Sequence, residues 1–296
     1  MADELRVRWD FADLPTTEAR LRARLADPLP DDRRAEVLTR LARVEGLRGD
    51  PVAGHRLLAE AEALADPDSA GRVLVFLERG RLLRSAGAPA EALPLFVAAF
   101  VLAVHLGDAF LAADAAHMAA LVDDVEVWTA RGVEVASSSD DPRVRGWIAP
   151  LWNDLGWAHH RAGRFTEAFE AFTAALAALE ETSADVHEIE VARYAVAKTL
   201  RALGRPAEAA ELMGRAIAAG PPDGWFHEEL AEDYAALGWR TEAAAQATRA
   251  LELLDAHQPP DRVARLRELA GGRLPRGRWA GARSGSEDET RWRRRT

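Results

Sequence analysis

Apolar and small positions recur along the chain at helical spacing, in runs broken by glycine, and one frame returns five times. It is anchored on Gly49, Gly87, Gly163, Gly204 and Gly238. Seven residues before each anchor stands a small residue: Ala42, Gly80, Gly156, Ala197 or Ala231. Five residues after it stands another: Gly54, Ala92, Ala168, Ala209 or Ala243. Four further on comes Leu58, Phe96, Phe172, Met213 or Ala247, and three beyond that Ala61, Ala99, Ala175, Ala216 or Ala250. The anchors lie 38, 76, 41 and 34 residues apart, so the double interval predicts a sixth unit between Gly87 and Gly163. Phe110 to Ala136 fills that interval with two helical stretches around Asp123 and Asp124 but without the glycine, a degenerate copy.

Each anchor glycine can take the left-handed conformation that ends a helix, and Pro51, Pro89 and Pro206 follow at positions suited to the first turn of the next. The frame therefore predicts about six pairs of antiparallel helices over residues 31–256, an all-α solenoid. Small residues mark the places where two helices approach closely, and large ones fill the space between units. Residues 1–30 form a flank in which Thr16 to Ala26 reads as a short helix capped by Thr16 or Thr17, after an extended Arg6 to Phe11. Residues 257–270 read as a polar capping helix from Asp261 to Ala270, as a stacked array requires at its end. Gly271-Gly272 then opens a basic tail, 271–296, expected to be disordered. Ser137 to Pro142 is an expected break within the array.

These residues resemble the tetratricopeptide repeat family. Its pattern of an early tryptophan, Leu-Gly, an aromatic, then Ala, Phe and Ala is matched by Trp152, Leu155, Gly156, Ala168, Phe172 and Ala175, with His159 in place of the aromatic. The last unit repeats it with Leu230, Ala231, Tyr234, Gly238 and Ala243. The resemblance implies a right-handed superhelix whose first helices line a concave groove that binds peptides or protein partners. The family's chaperone-binding members hold a terminal carboxylate with lysines and asparagines. Here Asn153, Tyr194 and Glu228 stand where that clamp would begin, which argues against a chaperone adaptor.

Charge refines the picture. The chain has 296 residues and a formal charge of -10, but eight arginines against three acids put residues 271–296 at +5 and the body at -15. Lys198 is the only lysine among 38 basic residues, an excess of arginine that reads as coding bias. An acidic body argues against nucleic acid as partner. There is no cysteine, which excludes disulfides, thiolate metal sites and cysteine nucleophiles. The longest apolar run, Leu95 to Val104, is ten residues, too short for a membrane span. Charges every two or three positions at the N-terminus leave no apolar leader, so a cytoplasmic location is expected.

A search for chemistry finds little. No phosphate-binding glycine loop occurs, and Ser69, Ser85 and Ser183 lack a nucleophile elbow. The histidines are scattered, and His159 and His160 diverge by about 100° on a helix. His187 and Glu190 could share a face, but two ligands do not make a metal site. No catalytic residue, metal or cofactor is predicted. Stepping by helical turns along the first helices, by contrast, gives a lining of Glu36, Thr39 and Arg43; Leu74, Leu77, Arg81 and Arg84; Asn153, Trp157 and His160; Val191, Tyr194, Lys198 and Arg201; and Trp225, Glu228, Glu232 and Ala235. Five bases stand there against three acids. The reading is a non-enzymatic scaffold or adaptor that binds a protein or peptide partner, acidic in character, through Arg43, Arg81, Arg84, Asn153, Trp157, His160, Tyr194, Lys198 and Arg201. The alternative is a regulatory sensor whose groove binds a small peptide or ligand and changes its curvature.

Overall fold

The computed structural model describes residues 13–182, 185–221, 223–254 and 257–272, which form fifteen helices and no strand. The extended stretch expected over Arg6 to Phe11 and the disorder expected over residues 273–296 lie outside the described residues. Helix α1 (Leu14–Ala26) is capped by Asp13, whose side chain accepts from the Thr16 amide; the sequence had pointed to Thr16 or Thr17 as the cap. Pairs follow: α2 (Asp31–Arg48) with α3 (Pro51–Leu64), α4 (Ala70–Ser85) with α5 (Pro89–His105), and α6 (Ala109–Ala120) with α7 (Val125–Ser137). After the single turn α8 (Pro142–Arg145) come α9 (Ile148–Arg161) with α10 (Phe165–Glu181), α11 (Val186–Ala202) with α12 (Pro206–Ala219), and α13 (Gly224–Leu237) with α14 (Arg240–Leu253). Helix α15 (Pro260–Ala270) closes the series.

All five anchor glycines have positive φ, between 73° and 82°, and each sits in the turn inside a pair. The amide after each one reaches back to the carbonyl five residues earlier, as in Asp50 N to Glu45 O at 2.9 Å and Arg164 N to His159 O at 2.9 Å. This closes the first helix while satisfying one of its last carbonyls. The degenerate pair does without it. There Asp124 caps α7 and Asp123 accepts from the Trp128 indole at 3.0 Å, so carboxylates make the turn that glycine makes elsewhere.

The other frame positions meet across each pair. A Cβ added at Gly156 would stand 2.6 Å from two ring carbons of Phe172, and Gly80 abuts the ring of Phe96 in the same way. The small residue on the first helix is thus the seat of the large residue on the second.

The chain divides into two compact units inside α9, between Leu151 and Trp152, and not at Ser137 to Pro142. In the first unit Phe96, Leu111 and Trp128 lie in the main core cluster, and in the second Trp157, Phe172, Met213 and Phe226 do. Within the first unit α2 packs beside α4 and α4 beside α6; within the second α11 packs beside α13. Within each unit the first helices therefore pack beside one another, and the side turned away from the second helices is where a lining can be sought. Among the described residues no helix is long and apolar enough to cross a membrane.

Candidate partner-binding face

In the first unit three arginines rise from neighbouring first helices. Arg81 of α4 donates to Glu78 at 2.6 Å and also pairs with Asp114 of α6. Arg43 of α2 reaches Glu78 at 3.5 Å. Arg40, one turn before Arg43, lies within the field of Glu78, Asp114 and Arg81. Burial pushes the Asp114 carboxyl up, but Arg81 and Arg43 outweigh it and hold the group below its ordinary value. Burial and the neighbouring Arg81 push the Arg43 guanidinium down to about 10, although Glu78 opposes them. Glu36, buried on the same helix, is held by Arg33 at 2.7 and 2.9 Å. Arg84 stands in the last turn of α4, where a cation faces the carbonyl end of the helix.

Helix α6 adds no open surface, because every residue from Leu111 to Ala120 is buried. Part of its cover is the Trp147 ring, 5.8 Å from Phe110 and 5.3 Å from His117. The accessible lining of this unit is therefore made by α2 and α4.

The second unit differs from expectation. Trp157 is 2% exposed, its ring 5.0 Å from Phe172 and 5.6 Å from His160, so it belongs to the core and offers no face to a partner. His160 is buried between it and Phe165, and Asn153 is 3% exposed with its amide nitrogen making no hydrogen bond. Tyr194 is buried near Phe226, and Lys198 donates to its hydroxyl at 3.3 Å. Arg201 donates to Glu229 at 2.8 Å and lies 3.2 Å from Asp233. Burial raises the Asp233 carboxyl well above its ordinary value, and Glu229 adds to the rise while Arg201 opposes it.

Helix α15 completes this arrangement. Arg262 donates to Glu228 at 3.1 Å and lies 3.6 Å above the Trp225 ring, and Arg265 grips Glu232 through two bonds of 2.8 Å. The expected lining of α13 is thus already engaged by the cap.

The count of five bases against three acids is corrected by these contacts. Glu78 and Asp114 in the first unit, and Glu229 and Asp233 in the second, pair with bases of their own unit. Their signal was partly legible, since Glu78 precedes Arg81 by three residues, the spacing of a helical ion pair. Glu229 and Asp233 lie on the flank of α13 that meets α11, outside the row of Trp225, Glu228 and Glu232. Arg40 falls four residues after Glu36 and three before Arg43, beside the expected row.

Residues 147–220 match the family model described as tetratricopeptide repeat. Over that segment the chain is similar to the tetratricopeptide repeat family. Among solved structures, the repeat fold is shared with the APC/C hetero-tetramer Cut9–Hcn1, at a TM-score of 0.54 and 13% identity over 86% of this chain. The matched part is 46% of that chain. A tetratricopeptide repeat protein from Parabacteroides merdae is 17% identical over 88% of this chain and 93% of its own, with a TM-score of 0.49. BtubC from P. vanneervenii is 16% identical over 95% of this chain and 98% of its own, with a TM-score of 0.43. No curated protein matches the sequence. The matched 147–220 segment contains the pair built on Gly156, Gly163 and Phe172, which is where the tetratricopeptide pattern is fullest.

Proposed function

We propose that this tetratricopeptide repeat protein is a non-enzymatic interaction module that holds a partner protein, or an extended segment of one, on its first-helix layer. The observation that carries the reading is the lining of α2 and α4, where Arg40, Arg43 and Arg81 share one polar surface on two adjacent helices. A surface of this kind suits recognition, because each guanidinium presents several donors in a fixed plane.

Of the residues expected to bind, Arg43, Arg81 and Arg84 are the contacts we assign to the first unit and Lys198 to the second. Asn153, Trp157, His160, Tyr194 and Arg201 support the face from below. The acidic character of the partner is part of the proposal and applies to α2 and α4. Its test is a photo-crosslinking amino acid placed in turn at Arg43, at Lys198 and at Val101, which is 60% exposed on α5 of the second-helix layer. Adducts from Arg43 or from Lys198, and none from Val101, are the expected result. Adducts from Val101 alone would contradict the reading.

A further inference from the structure

Helix α15 carries two arginines one turn apart, Arg262 and Arg265, and α13 carries two carboxylates one turn apart, Glu228 and Glu232. The two sets meet in register. Arg262 donates to Glu228 and covers the Trp225 ring, while both oxygens of Glu232 accept from Arg265. The other two acids of α13, Glu229 and Asp233, face α11 and are answered there by Arg201. Helix α13 therefore divides its acids between the array and the helix that closes it. The apolar part of the closure is small. Of the eleven residues of α15 only Leu266 and Leu269 are buried, on a floor that includes Ala231, Ala243 and Ala247. An element with so few buried apolar contacts belongs to the low-stability end of a fold and opens ahead of the core.

The connection to α15 is short and already extended at both ends. Leu254 leaves α14 with φ -71° and ψ 142°, and Pro259 enters α15 with φ -52° and ψ 136°. Pro259 and Pro260 keep the same φ whether the chain is closed or open. Moving α15 away from its own α13 therefore strains neither end. A second copy offers the helix the same two carboxylates, the same ring and the same alanine floor.

We propose that the α13 face of Trp225, Glu228 and Glu232 binds the α15 of a second copy of this chain, so that two copies exchange their closing helices. The inference stands apart from the function proposed above. Exchange of an identical element keeps every contact that the closed chain makes and is a low-cost route to a dimer. The matched pairs of charges fix its register, because a shift by one turn leaves one arginine beyond the carboxylates. The closed chain competes at an effective concentration on the order of 1 mM, so the exchanged dimer gives way to monomer on dilution.

Charge reversal on either side of the contact, in the full chain, tests this by light scattering and native mass spectrometry. Arg262→Glu with Arg265→Glu sets α15 against its own α13, and Glu228→Arg with Glu232→Arg sets α13 against its own α15. In a mixture, exchange pairs the reversed helix with the reversed face and the two unaltered elements with each other. Each variant alone is expected to be monomeric, and the equimolar mixture to form a one-to-one dimer of twice the single-chain mass. Its dissociation constant is expected to lie at least about tenfold below that of wild-type self-association, because the closed competitor has been removed. A mixture that stays monomeric overturns the inference. So does self-association of one variant that mixing leaves unchanged, since the contact then lies on another surface. If the double reversals lose helicity by circular dichroism, the single reversals Arg265→Glu and Glu232→Arg are mixed in their place, and the absence of a dimer there overturns the inference equally.

Discussion

At Gly156 a hydrogen is all that separates the α9 backbone from the Phe172 ring, since a Cβ there would stand 2.6 Å from two ring carbons. The ring is buried and cannot turn away without opening the core. Gly156→Ala is therefore expected to cost about 1–3 kcal/mol, read as a lower urea midpoint at an unchanged slope. Combining it with Phe172→Leu should cost less than the two single losses together, because the smaller side chain makes room. Equal midpoints for wild type and Gly156→Ala would show that the frame position does not carry the packing assigned to it. This part of the fold was legible in the sequence: small and large residues at a fixed separation encode one contact, repeated. Trp157 was not legible in the same way. Its position on a first helix suggested a lining, while its burial follows from the Phe172 and His160 rings, which only the folded chain brings to it.

Among the elements, α6 and α15 depart most from the repeat frame. Helix α6 is apolar around its whole circumference apart from Asp114 and His117, a pattern that signals burial on every side and not an amphipathic lining. The missing glycine marked it as degenerate, but the cover by Trp147 could not be read from spacing. Helix α15 was legible as a cap, although its grip depends on Leu266 and Leu269, both buried against α13 and α14, and on two arginines reaching α13.

That grip carries a pH signature. Burial pushes the Glu228 carboxyl up from 4.5 to about 7, and Arg262 only partly offsets it. A folded-state value above the unfolded one means that the ionised form is disfavoured in the fold. The stability it contributes is present below about pH 4.5 and is lost as pH rises through about 7. Glu228→Gln does not ionise, so its stability relative to wild type should rise by on the order of 2 kcal/mol between pH 5 and pH 8, measured by urea unfolding at each pH. A difference that stays constant across this range would contradict the desolvation assigned to Glu228.

For the molecule as a whole, the formal charge of -10 conceals first helices on which, within each unit, bases are paired with acids. The basic half of these pairs was legible because arginines at helical spacing stand out in a row. The acids that answer them come from the next helix, or from the flank of the same helix, and only packing brings them into register.

Amide hydrogen exchange of the full chain, with and without the tightest peptide selected against it, tests the central claim most directly. Added protection concentrated on α2 and α4 is the expected result. Protection on α5 and α7 with α2 and α4 unchanged would place the partner on the opposite layer and contradict the account.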